Sequence, residues 1–247
     1  MKNFFLLLTL LLCTSMDWAH AVIVDGINYN IDQSNKTAQV ISNYEEYTGD
    51  LCIPESISVE GTIYVVTSLG NRCFRGCTGL TSVTISNSVT SLESSCFYGC
   101  TDLTSIDIPN SVTSLGSDCF DGCTGLTSIT IPNSVTSLGN RCFRGCTGLT
   151  SVTIPNSVTS LWSACFADCA RLESIEVESG NTVYDSRENC NAIIQTSLNT
   201  MIAGCKNTTI PNSVTSLGSD CFEGCTGLTS ITIPNSAPRL EDGCFSY

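Results

Sequence analysis

The sequence is poor in positive charge and nearly without histidine. Ten Lys and Arg stand against 23 Asp and Glu, a formal net charge of −13. That argues against nucleic acid and anionic membrane surfaces as partners, since both reward clustered positive charge. The one histidine, His20, falls in a stretch that reads as an export signal. The mature chain therefore has no imidazole for a nucleophile triad, a proton shuttle or zinc ligation. Long apolar runs are missing too: residues 4–12 are apolar except for Thr9, well short of the ~20 residues that cross a bilayer. With Lys2 before that run and Ala19-His20-Ala21 after it, residues 1–21 are expected to be cut off near Ala21, leaving a secreted or cell-surface protein. Cys13 follows Leu12, where a lipidation signal would carry Gly or Ala, so an acylated anchor is the lesser expectation.

What the chain does have is a period. From Val83 the sequence repeats every 23 residues, over 83–105, 106–128, 129–151 and 152–174, as I-T-I-P-N-S-V-T-S-L-G-x-x-C-F-x-G-C-T-G-L-T-S. Residues 51–82 and 175–207 are the same unit with nine and ten extra residues, 208–230 is regular again and 231–247 is cut short. The segment L-T-S-I-T-I has the spacing of a leucine-rich repeat, in which apolar residues at fixed offsets point into a stack. These features predict a β-rich solenoid, a leucine-rich-repeat stack of about eight coils over residues 51–247, with short helical turns. Residues 22–50 are expected to supply an N-terminal cap, a β-hairpin around Asp32-Gln33-Ser34-Asn35, because the end of a solenoid needs a polar cover.

This consensus closely resembles the BspA-like leucine-rich-repeat proteins of bacterial surfaces, over essentially everything after residue 50, and residues 181–205 look like the lengthened repeats of that family. The resemblance implies a solenoid exposed outside the cell, often discussed as an adhesin for host or bacterial proteins. The residues themselves show only the solenoid.

Stacked at about 4.8 Å, identical units turn each repeat position into a ladder. Phe74, Phe97, Phe120, Phe143, Phe166, Phe222 and Phe245 share one position and are expected to form a core spine. Thirteen cysteines occupy the two ends of C-F-x-G-C. Side chains in register point the same way, a poor geometry for bridging, so buried thiols are expected rather than a disulfide framework or a zinc site. If any pair is oxidised, it is Cys190 with Cys205. Two insertions, at residues 57–65 around Glu60-Gly61 and at 191–203 turning at 197–200, read as surface hairpins that could recognise a ligand. Residues 184–189 are oxygen-rich, but their spacing fits no EF-hand.

Two surfaces are candidates for binding. The strand face carries an outward row of small polar residues, among them Thr84, Asp107, Thr130 and Thr153. The other is the edge at C-F-x-G-C, where the coils differ: Arg72 with Arg75, Ser95 with Tyr98, Asp118 with Asp121, Arg141 with Arg144, Ala164 with Ala167, and Asp220 with Glu223. At spacing i, i+3 each pair would share one side of a helical turn. The acidic pair Asp118 and Asp121 is expected one coil from Arg141 and Arg144, either as inter-coil ion pairs or as a docking edge. Because specificity needs unlike groups at fixed places, the edge is expected to matter more than the strand face.

The resulting expectation is a non-enzymatic interaction protein that binds a protein or glycan on another cell or matrix, with no cofactor or metal and an oligomeric state left open. Two other readings stand beside it: an ice- or crystal-face-binding protein using the Ser/Thr rows, which Asp107 and Glu176 interrupt, and a carboxylate enzyme on polysaccharide, for which Asp102 and Asp107 are the nearest acidic couple.

Overall fold

The computed structural model describes residues 20–42, 46–162, 164–237 and 239–246. Residues 1–19 of the expected export signal, with Cys13, lie outside them, as does Tyr247. Among the described residues no helix is long and apolar enough to cross a membrane.

The 23-residue period becomes a β solenoid because two short segments of each coil pair in parallel with the equivalent segments of the next. One ladder runs through the Ser-Leu dipeptides: Ser68–Leu69 pairs with Ser91–Leu92, then Ser114–Leu115, Ser137–Leu138 and Ser160–Leu161. The other uses the Ser-x-Thr segment, with Gly49–Ile53, Leu80–Ile85 and Ser105–Asp107 in one sheet and Ser151–Ile154 with Ser174–Val177 in another. Alternation at period 2 sends Val152 and Ile154 into the core and leaves Ser151 and Thr153 exposed. Ser and Thr hydroxyls add bonds along the stack. Ser111, Ser134 and Ser157 each donate to the valine carbonyl of the preceding coil, at 2.5–2.7 Å. Thr90, Thr113 and Thr136 each donate to the threonine carbonyl 23 residues earlier. Much of the Ser/Thr monotony is thus spent on holding coils together.

At the N-terminal end, strands His20–Val24, Ile27–Asp32 and Thr37–Val40 form an antiparallel meander. Its last strand pairs in parallel with Thr62–Leu69 of the first coil. A cut after Ala21 would leave residues 22–24 still paired in the first strand. In the turn after Asp32 that carboxylate accepts the backbone N–H groups of Ser34 and Asn35, which hold it below its ordinary pKa. The insertion in the first coil is an antiparallel hairpin of Ser56–Val59 with Thr62–Leu69, and the later one pairs Ala192–Gln195 with Thr200–Gly204.

The C-F-x-G-C segment differs from the expected helical turn. Cys73, Arg75 and Cys77 donate their N–H groups to the residue three back, whereas Arg72, Phe74 and Gly76 donate theirs to Ser94, Cys96 and Tyr98 of the next coil. A helix would need every N–H for its own carbonyls. Here alternate donors leave for the neighbour, and a left-handed residue opens each turn: Arg72, Ser95, Asp118, Arg141, Ala164 or Asp220, each with φ between +54° and +58°. The only helix among the described residues is the single 3-10 turn Arg187–Asn189.

The phenylalanines stack as expected from Phe74 through Phe97, Phe120 and Phe143 to Phe166, with ring centroids 5.3–5.6 Å apart. The row is not continuous, however. Phe222 and Phe245 form their own stack at 5.2 Å inside a separate core cluster with Met201, Val214 and Leu217. The break comes from the lengthened coil, which has no C-F-x-G-C segment. Gly204 lies there against the Phe222 ring, and the turn at Asp168 bonds directly to Glu223.

Candidate functional site

The two cysteine columns do different things. In the second, four thiols donate to the phenylalanine carbonyl of the preceding coil, Cys100 to Phe74, Cys123 to Phe97, Cys146 to Phe120 and Cys169 to Phe143, at 3.1–3.2 Å, while Cys225 donates to Gly204. In the first, thiol meets thiol, with Cys73 and Cys96 sulfurs 3.1 Å apart. Burial pushes the thiols of Cys100, Cys123, Cys146 and Cys169 well above their ordinary value. They stay protonated near neutral pH, which keeps them donors and makes them poor nucleophiles and ligands. Cys190 and Cys205 are unbridged and donate to different carbonyls, those of Ala192 and Asn191. Alkylation of the native protein is expected to mark exposed Cys52 and spare both columns. After denaturation without reductant, most of the 16 described cysteines should label, and protection of the columns at that stage would mean they are bridged.

The edge is where coil-to-coil variation reaches solvent. Tyr98 and Arg75 belong to neighbouring coils, and the Arg75 guanidinium lies over the Tyr98 ring, 4.9 Å from its centroid, a cation–π contact. Arg72 and Arg141 are exposed and make no side-chain ion pair among the described residues. Arg144 is not partnered as the repeat order suggests. It bonds Asp168 at 2.8 Å and Glu223 at 3.4 Å, not the Asp118 and Asp121 carboxylates, and its buried Nε has no acceptor. The reason is the looped-out coil, which brings the turn of residue 223 directly beside that of residue 168 and adds Glu223 to the site. Asp168 was not singled out in the sequence; the signal was its replacement of the Gly that precedes the second cysteine elsewhere.

Asp121 is half-buried, and burial first, then the charge of Asp118, raises its pKa, while Arg144 and Arg141 pull the other way. The net shift is upward, so folding disfavours the ionised form. The folded chain binds the proton more tightly than the unfolded one, and the resulting penalty is full at neutral pH and disappears as pH falls below the ordinary value of 3.8. Asp121→Asn is therefore expected to raise the melting temperature at pH 7 and to match the parent below about pH 3.5. An unchanged or lower melting temperature at pH 7 would contradict the assignment.

On the strand face, Asp107 sits beside Thr84 in register and Glu176 beside Thr153, so charged groups break the outward hydroxyl row. Thr84, Thr130 and Thr153 are exposed. Asp102 and Asp107 are also exposed, and neither carboxylate has a partner among the described residues. Trp162 was missed by the sequence reading. It stands where Gly116 and Gly139 stand in their coils and is 61% exposed; the signal was an aromatic in a glycine position.

Comparison with known proteins places this geometry. A family model described as a BspA type leucine rich repeat region matches in six copies, over residues 67–194 and 201–247. No curated protein matches the sequence. Among solved structures, a leucine-rich repeat protein from Bacteroides ovatus is 28% identical with a TM-score of 0.70, covering 90% of this chain and 55% of its own. The chain thus spans about half the length of that relative. A leucine rich cell surface protein from Faecalibacterium prausnitzii is 24% identical with a TM-score of 0.52, covering 93% of this chain and 74% of its own. The leucine rich repeat protein of T. pallidum is 23% identical with a TM-score of 0.60, covering 89% and 86%. The last two show the fold alone, and with the repeats they establish a β-rich leucine-rich-repeat solenoid.

Proposed function

The chain belongs to the BspA-type leucine-rich-repeat family, and from that premise we propose that it is an exported, non-enzymatic interaction protein, secreted or held at a cell surface, that binds a protein or glycan of another cell or matrix. The observation that carries the reading is the turn edge. Its backbone is the same in coil after coil, yet it displays unlike side chains at a fixed spacing: Arg72 and Arg75, Tyr98, Asp118 and Asp121, Arg141 and Arg144, then Asp220 and Glu223. A rigid row of unlike groups, including arginine and tyrosine, is how a scaffold achieves selective contact. The cell-surface designation of the F. prausnitzii relative supports the location.

Arg144 is already engaged by two carboxylates, so of the pair Arg141 and Arg144 only Arg141 offers its charge to a partner. Surface plasmon resonance over immobilised matrix proteins tests the reading. Arg141→Ser is expected to weaken binding, and to make it less salt-sensitive, more than the pair Thr130→Ala and Thr153→Ala. A larger loss from the threonine pair would move the site to the strand face, and no binding to any protein or glycan surface would overturn the function.

A further inference from the structure

Charge along the turn edge changes sign from coil to coil. The turn of the first coil carries Arg72 and Arg75, the second Ser95 and Tyr98, the third Asp118 and Asp121. In space these three turns are copies of one another. Each opens on a left-handed residue, at φ +58°, +56° and +54°, and their phenylalanines Phe74, Phe97 and Phe120 stack with centroids 5.3 and 5.4 Å apart. The two charged turns therefore lie about 10 Å apart, at equal distances on either side of Tyr98.

None of these four charges is neutralised within the chain. Among the described residues, Arg72, Arg75, Asp118 and Asp121 make no ion pair. Arg72 and Arg75 are exposed, and Tyr98 is 37% exposed. The Arg75 guanidinium lies over the Tyr98 ring, which fixes its place while its N–H groups keep the capacity to bond a carboxylate. Asp118 and Asp121 share one turn and repel each other. The arginine of the next coil that could neutralise Asp121, Arg144, is bound instead to Asp168 and Glu223. A basic pair and an acidic pair thus face solvent on one edge, with a tyrosine midway between them.

We propose that this stretch of the turn edge is a self-docking surface that joins two copies of the chain, antiparallel, about a two-fold axis at Tyr98. A two-fold axis lying across the stack, in the plane where the faces meet, reverses the order of the coils and keeps the two sides of each turn. Arg72 of one copy then stands opposite Asp118 of the other, and Arg75 opposite Asp121. The same two pairs recur beyond the axis, where Tyr98 meets Tyr98. A two-fold along the stack would set arginine against arginine and aspartate against aspartate, so charge selects the antiparallel register. Asp121, whose pKa burial and Asp118 raise, gains the cation it lacks. Three turns make a small contact, which gives a weak and salt-sensitive dimer. The proposal rests on the interaction-protein reading and names a second copy as one partner of that same edge.

Sedimentation equilibrium of the full chain tests it, in about 20 mM and about 500 mM salt. The parent is expected to dimerise at low salt and about ten-fold more weakly at high salt. Four double variants with the parent's net charge read the register. Arg72→Asp with Asp118→Arg, and Arg75→Asp with Asp121→Arg, keep opposite charges across the axis and should dimerise like the parent. Arg72→Asp with Asp121→Arg, and Arg75→Asp with Asp118→Arg, set like charges against each other and should dimerise at least about ten-fold more weakly. Both residue types already occupy these turn positions in other coils. Each substitution occurs once in a matched and once in a mismatched variant, so a loss confined to the mismatched two cannot come from misfolding. The proposal is overturned if the parent stays monomeric up to about 1 mM at low salt, if salt leaves its dimer unchanged, or if matched and mismatched variants behave alike. A monomeric parent that still binds a matrix protein through Arg141 refutes the second copy and leaves the interaction function standing. A dimer with the predicted variant pattern and no binding to any other surface supports the proposal and overturns only the foreign-partner reading.

Discussion

Phe143→Ala is expected to cost about 3–5 kcal/mol of stability and to separate the unfolding of the coils on its two sides. The ring is fully buried and lies nearly parallel between Phe120 and Phe166, at 5.3 and 5.6 Å. Removing it deletes two stacking contacts as well as buried apolar area. The gap cannot close by drawing the coils together. Phe120 donates to Cys142 and Phe143 to Cys165 at 2.8 and 2.9 Å, so coil spacing is set by backbone bonds already at their optimum. Because each coil touches only its neighbours, the loss falls on one interface. The exposed change Thr130→Ala should stay within about 0.5 kcal/mol. Urea melts compare the two, and equal midpoints would contradict the assigned core.

Gly204→Ala should destabilise the C-terminal coils by about 2–3 kcal/mol through overpacking. A Cβ on Gly204 would run into the Phe222 ring, meeting its Cζ at 2.7 Å and Cδ1 at 2.8 Å. Phe222 is 1% exposed and held by its stack on Phe245, so it has nowhere to turn. The glycine cannot retreat either, since its N–H donates to the Cys221 carbonyl at 2.8 Å. The damage should be confined to the second cluster. Hydrogen exchange is expected to speed up at Gly218 and Phe222 and to stay unchanged at Phe97 and Phe120. Uniform acceleration along the whole chain would show that the two stacks act as one.

The sequence by itself determined the period, the solenoid and the position of every core column, because a 23-residue repeat admits only structures in which each position meets its own copy. It also located the hairpin insertions, whose turns at Glu60-Gly61 and Asn199 adopt the positive φ that Gly and Asn tolerate best. Tertiary structure decided what the repeat averages away. The C-F-x-G-C turn forgoes helix because alternate N–H groups go to the next coil, a choice that exists only once a next coil is stacked. Arg144 meets Asp168 and Glu223, residues 24 and 79 positions away, and leaves the nearer acidic pair without an ion pair to it, since looping out one coil changes which turns are neighbours. The same displacement divides the phenylalanine spine. These features belong to the junction between regular and lengthened coils, where periodicity no longer states which residues touch and only the packed chain does.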